Sequence, residues 1–336
     1  MKRVTALSAV VVLALTTAAC GSGGTSTAGS ANQSHTKVTL TLNWVPYGEH
    51  APFYYGVKKG FYSAEGIDLT IKSGTGSGNT ILQVSQDKTT FGWADTPPLL
   101  KGIDAGMKVK SVGVFLKKGP SSIESLASKN IHKPADLKGK TVGGTPGDAL
   151  YAMFPAWLKA NGLSKDDVKV ADVDAASKIA ALIEGRVDAI MGFFHDQAPT
   201  IEGKTGKKVS YLAYSAWGMN LLGTGIVASE DTLSKNPDLV RRFVKATQRS
   251  WAEAAKDIPG AVDAMTGAAE QAPPKEVMVK QLTLAVGLLG ADSGAMPGTN
   301  SDAKWSETID LMSKYANLSS PAKPDKYWDA SYAGKA

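Results

Sequence analysis

From Lys37 onward apolar and polar residues alternate: in "KVTLTLNW", Val38, Leu40 and Leu42 share one face and Lys37, Thr39 and Thr41 the other, a pattern that predicts a strand. "APFYYGVKKGFYSAEG" then predicts a helix closing at Gly60 or Gly66, "IDLTIKSG" a strand and "GNTILQVSQDK" a helix. "TTFGWAD" predicts a strand, "TPPLLKGIDAG" a helix with prolines in its first turn, and "KVKSVGVFL" a strand. Alternating strands and helices with short connections predict a parallel sheet covered by helices.

A second series follows. "SIESLAS", "KTVGGT", "VKVADV" and "VDAIMGFF" predict strands, "KPADLKG" a short helical turn, and "DALYAMFPAWLKANG" and "AASKIAALIEGR" helices. "KKVSYLAYSAWGMNLLGTGIVAS" carries two strands and the return to the first unit. The remainder is mostly helical, from "NPDLVRRFVKATQRSWAEAAKD" to "SDAKWSETIDLMSKYA", punctuated by Pro259, Pro273 and Pro274. The economical arrangement is two α/β lobes, the second inserted into the first: 37–118 plus 224–336, and 119–223. The two crossings form a hinge, and the carboxyl ends of two sheets face each other across a cleft, where open α/β sheets bind ligands.

Composition changes this picture little. The chain has 336 residues, 43% hydrophobic and 20% charged, enough for two cored domains. The formal charge is +6, but acidic and basic residues are interspersed without a basic block, so nucleic-acid binding is not expected. The first residues do change it. "MKRVTALSAVVVLALTTAAC" has a basic start, a short apolar run from Val4 to Leu15 and small residues before Cys20, the pattern of a secretory signal over 1–20. Cys20 is the only cysteine, which excludes an intrachain disulfide, and its place after "TTAA" predicts lipidation there, although Thr17 stands where such motifs usually carry Leu. Residues 21–36 are rich in Gly, Ser and Thr and predict a flexible tether. The expectation is an exported, lipid-anchored, monomeric protein on the extracytoplasmic face.

The chemistry-bearing residues cluster at predicted strand ends. Asn43 and Trp44 end the first strand, and Trp44 offers a flat platform for a ring. His50 lies one turn into the next helix, where a satisfied structural histidine is the competing reading. Asp95 and Thr96 end the third strand, where either would equally serve as a helix cap. Thr145 and Asp148 flank a glycine-rich turn whose backbone N–H groups point into the cleft. Phe194, His195 and Asp196 follow another strand, and Tyr214 and Trp217 lie in the return crossing. Aromatics with carboxylates suit a neutral or cationic nitrogen heterocycle. "GKT" at 139–141 lacks the glycine of a phosphate loop, "GTGSGN" ends in Asn79 rather than the glycine of a dinucleotide site, and His35, His50, His132 and His195 are dispersed. No cofactor, metal or catalytic residue is expected.

"LNWVPYGEHAPFYYGVKKGFYSAEGIDLTI" resembles the opening of periplasmic solute-binding proteins related to thiamine-pyrimidine precursor binders, and "FGWADTPPLLKGIDAG", "PADLKGKTVGGTPGD", "AALIEGRVDAIMGFF" and "NPDLVRRFVKAT" resemble the same superfamily in its usual order. The resemblance covers nearly all of 37–336. It implies a type II periplasmic binding protein that delivers a small solute to an ABC importer permease, and it implies that Asn43 and Trp44 line the pocket. Alkanesulfonate, taurine and nitrate binders share the framework and supply the alternative ligand class, for which "SGTGSGNT" offers donors. Fungal pyrimidine synthases share the fold too, but they carry a histidine where this chain reads "ADTPP" and a cysteine-rich segment that it lacks.

Overall fold

The computed structural model describes residues 35–267, 272–290 and 295–335. The signal segment, Cys20 and the tether up to residue 34 lie outside the described residues. Strands β1 (Thr36–Thr41), β2 (Ile67–Lys72), β3 (Phe91–Asp95) and β4 (Val109–Val114) come first. They are followed by β5 (Ser121–Leu126), β6 (Thr141–Gly144), β7 (Lys169–Asp172), β8 (Ala189–Phe193) and β9 (Val209–Ala213), and then by β10 (Thr224–Ser229). Helices α1 (Ala51–Lys58), α2 (Phe61–Ala64), α3 (Ser77–Ser85) and α4 (Thr96–Asp104) accompany the first strands. The second group carries α5 (Ala149–Ala160), α6 (Lys178–Ile183) and α7 (Gln197–Thr205). After β10 come α8 (Glu230–Lys235), α9 (Pro237–Ala254), α10 (Ile258–Met265), α11 (Lys275–Gly287), α12 (Asp302–Ala316) and α13 (Ala330–Ala333).

The strands form two five-stranded sheets, β2-β1-β3-β10-β4 and β7-β6-β8-β5-β9, each the centre of an α/β lobe. The expected parallel pairing is corrected for one strand of each sheet. β10 runs antiparallel to β3 and β4, and β5 runs antiparallel to β8 and β9. The reason lies in the crossings. Residues 115–120 and 214–223 pass side by side in opposite directions, with Gly119 N donating to Leu221 O and Gly223 N to Leu116 O (both 2.9 Å). The strands they join, β4 to β5 and β9 to β10, therefore pair antiparallel on either side.

Two local expectations also change. The helix expected over 51–66 is two helices, interrupted at Gly60, whose φ of 71° an L-residue rarely adopts. Helix α7 went unread because Pro199 and polar residues mask its pattern. The first lobe's core is aromatic, with Trp93 stacked on Trp251 at 5.5 Å and Phe91 on Phe243 at 4.1 Å. In the second, Trp157 stacks on Tyr214 at 4.9 Å.

Candidate functional site

The chain leaves β1 through Leu42, Asn43 and Trp44, and a neighbouring loop holds that end in place. Gly74 N donates to Trp44 O (3.0 Å), Gly76 N to Asn43 O (2.8 Å) and Thr80 Oγ1 to Leu42 O (2.7 Å). A Cβ at Gly74 would stand 1.8 Å from the Leu42 carbonyl oxygen, so the loop passes this close only as glycine. Gly74→Ala is expected to cost about 1–3 kcal/mol of stability by overpacking and to weaken any ligand held by Asn43 and Trp44. Denaturant unfolding and ligand titration of the variant check both effects.

His50 is fully buried and does not line the cavity described below. Its Nδ1 accepts from Tyr47 N (3.3 Å), so Nε2 carries the proton and donates to Asn43 Oδ1 (2.9 Å). Burial lowers its pKa to about 4 against the pull of Glu49, keeping the ring neutral. The histidine thus fixes the Asn43 amide and leaves its Nδ2 as the free donor.

Asp95, at the end of β3, holds the cap position of α4 but makes no side-chain capping bond. Its carboxylate accepts instead from Ser77 Oγ (2.5 Å) and Thr224 Oγ1 (2.8 Å). Burial pushes its pKa up to about 6, the Glu49 and Asp148 charges adding to the effect and the two hydroxyls opposing it. Thr96 turns away and donates to Gly223 O (2.7 Å).

From the second lobe, Asp148 caps α5 by accepting from Leu150 N (2.5 Å) and Tyr151 N (3.3 Å), while its other oxygen faces Lys178 Nζ at 3.4 Å. Lys178 is buried, and its ammonium lies 5.7 Å from the Trp44 ring centroid. Asp196, after β8, accepts from Gln197 Nε2 (2.6 Å) and Gln281 Nε2 (2.9 Å). Burial raises its pKa to about 6 against the opposing charges of His195 and Lys178.

These groups converge on one cavity between the two sheets' strand ends. The first lobe lines it with Asn43, Trp44, Tyr47, Gly76, Ser77 and Asp95, the second with Asp148, Ala149, Leu150, Lys178, Phe193, Asp196 and Gln197. Of the residues singled out from sequence, Asn43, Trp44, Asp95, Asp148 and Asp196 are brought together there. Thr145 donates to Val173 O (2.9 Å), Phe194 stacks on Tyr211 at 4.8 Å, and Trp217 packs half-buried against the second lobe's core, all away from this cavity. Tyr214 lines a separate one.

His195 is fully buried beside the cavity rather than in its lining, with Nε2 against Glu49 Oε2. The same carboxylate accepts from Trp93 Nε1 (2.5 Å) and Tyr47 Oη (2.8 Å), so residues of both lobes meet on Glu49. Burial pushes the Glu49 pKa up, but the His195 charge and hydrogen bond, with His50 and Trp93, hold it below the ordinary value. Sequence reasoning missed Glu49, Lys178 and Gln197, met Ser77 only within "SGTGSGNT" as a donor for the alternative ligand class, and passed over Tyr47 and Phe193. Phe193 carries the one local signal, since it alternates with Ala189 and Met191 at the end of β8.

Chemically the cavity offers flat aromatic surface, amide donors and acceptors, three carboxyl groups and one cation already facing Asp148. A compact anion would meet Asp95, Asp148 and Asp196 with a single ammonium in compensation.

Residues 48–261 match the protein family described as NMT1/THI5 like. The chain is 31% identical over 223 residues to the riboflavin-binding protein RibY of Chloroflexus aurantiacus, covering 65% of this chain and 62% of that protein, less than two thirds of its length. It is 20% identical over 288 residues to the formylaminopyrimidine-binding protein of Halalkalibacterium halodurans, covering 84% and 87%. Among solved structures it is similar to the alkanesulfonate-binding protein SsuA of Xanthomonas axonopodis pv. citri bound to MOPS. There the TM-score is 0.65, at 15% identity over 87% of this chain and 98% of that one, a likeness of fold.

Proposed function

We propose, from the premise that this chain belongs to the NMT1/THI5-like family, that it is a solute-binding protein which captures a small nitrogen heteroaromatic and delivers it to an ABC importer. The observation that carries the reading is the convergence of Trp44 and Asp95 from one lobe with Asp148, Asp196 and Phe193 from the other on a single cavity. Stacking would bury the ring's faces, and carboxylates would accept from its exocyclic amine or ring N–H. Ligand bridging the lobes stabilises the closed form, which the importer reads. In this reading lobe I comprises 37–118 plus 224–336 and lobe II 119–223. The protein is exported, anchored through Cys20, monomeric and without catalytic chemistry of its own.

A thiamine-pyrimidine precursor is the preferred solute, because a single amino-substituted ring can meet Trp44 and the carboxyl groups of both lobes at once, and the similarity to a formylaminopyrimidine-binding protein supports it. A flavin is the second reading, supported by the similarity to a riboflavin-binding protein. A sulfonate or nitrate fits the acidic lining poorly. A thermal-shift panel of 4-amino-5-hydroxymethyl-2-methylpyrimidine, riboflavin, taurine and nitrate tests these assignments. A ligand at a hundred times its Kd stabilises by about 2.7 kcal/mol, or several degrees in a chain this size. Stabilisation by the pyrimidine is the expected result; stabilisation by taurine or nitrate alone would overturn the reading of the carboxylates.

The raised pKa values of Asp95 and Asp196 give a pH dependence. Protonation removes a charge-assisted acceptor, so affinity should be full well above pH 6 and fall by up to about tenfold per unit below it for each group engaged. Comparing wild type with Asp95→Asn on one ligand isolates the Asp95 share, because the ligand's own titration is common to both. For stability the sign is reversed: a carboxyl whose folded pKa is raised contributes fully below its unfolded value, and the contribution is lost as pH rises through about 6.

A further inference from the structure

A second, small cavity adjoins the first, and Asp95 and Ala149 line both. It lies against the two chain crossings, at 119–121 and 221–223, with Met153, Leu221 and Leu222 among its apolar walls. Tyr214 also lines it. This residue is 2% exposed, its ring is fixed against Trp157, and its hydroxyl has no hydrogen-bond partner among the described residues. A buried hydroxyl without a partner is costly and calls for an explanation.

We infer that this second cavity is a substituent subsite, in which Tyr214 donates its O–H to an uncharged oxygen carried on a short arm of the ring held by Trp44. The inference rests on the heteroaromatic reading above and deepens it. The substituent is an acceptor because the phenol is neutral and its proton is otherwise unused; burial and the Asp148 charge raise the Tyr214 pKa well above its ordinary value. It is uncharged because Asp95 lines the cavity, Asp148 acts on the phenol, and the walls carry no cation. A hydroxymethyl, formyl or amide oxygen meets these demands. A phosphate or carboxylate does not. Because the walls include both crossings, a filled subsite would also brace the hinge in its closed form.

Tyr214→Phe removes the hydroxyl and little else. Calorimetric titration of wild type and variant with 4-amino-5-hydroxymethyl-2-methylpyrimidine and with 4-amino-2,5-dimethylpyrimidine, which lacks only the oxygen, tests the proposal. The expected result is a loss of about five- to tenfold for the hydroxymethyl compound in Tyr214→Phe and no change for the dimethyl compound. Equal effects on both compounds, or none on either, would overturn the subsite while leaving the pyrimidine reading standing. Binding of neither compound by wild type would overturn that reading and the subsite with it. Ligand-free melting is a second check: Tyr214→Phe should melt at or above wild type. A lower melting temperature would mean that the hydroxyl has a partner within the protein, which contradicts the proposal.

Discussion

Replacing His195 with alanine should lower the stability of the folded chain by about 3–5 kcal/mol, the cost of stripping a buried charge of its partner. Glu49 and His195 are each fully buried, and they come from different lobes. Without the imidazole, the Glu49 carboxylate keeps only the Trp93 and Tyr47 donors. Chemical denaturation of His195→Ala against wild type measures the loss. His195→Gln, which can restore an N–H donor, should recover part of it. A loss below about 1 kcal/mol would mean that the contact carries no more than a surface pair does. The pH dependence has a definite sign: because the Glu49 pKa is held below its ordinary value, this share of stability is present at neutral pH and is lost as pH falls through the lowered folded value.

Trp44→Ala should weaken a pyrimidine ligand by about thirtyfold or more, which corresponds to the 2 kcal/mol or greater typical of an aromatic anchor in a binding site. Its effect on stability should be small, because Trp44 is only half-buried and lines the cavity. Asp95→Asn should cost about tenfold at neutral pH by removing charge while keeping the shape that Ser77 and Thr224 hold. Alanine at this position would strand both hydroxyls and mix a folding defect into the binding result. Titration of both variants, with unfolding curves alongside, separates the two effects. Unchanged affinity in both would show that the site lies elsewhere.

How much of this was legible depends on the range of the interaction. The alternation of Val38, Leu40 and Leu42 placed Trp44 by parity, and Asn43, Asp95 and Asp196 stand at strand ends that local pattern locates. Lys178 was not legible: in "AASKIAALIEGR" it reads as the solvated side of an amphipathic helix, yet it is 3% exposed, beside Asp148 and the Trp44 ring of the first lobe. Glu49 gave no signal either, since its partner His195 lies 146 residues away. The sheets misled for a related reason. Strand-helix alternation describes β1 to β3 and β6 to β8, but the direction of β5 and β10 is set by two crossings running past each other.

In the proposed binding mode one flat, uncharged solute sits between the lobes on Trp44. A crystal structure of the protein with the ligand that most stabilises it tests this most directly. The expected result is a ring stacked on Trp44, with a nitrogen within hydrogen-bond distance of Asp95, Asp148 or Asp196. An anion held on Lys178, or a ligand outside this cavity, would contradict it.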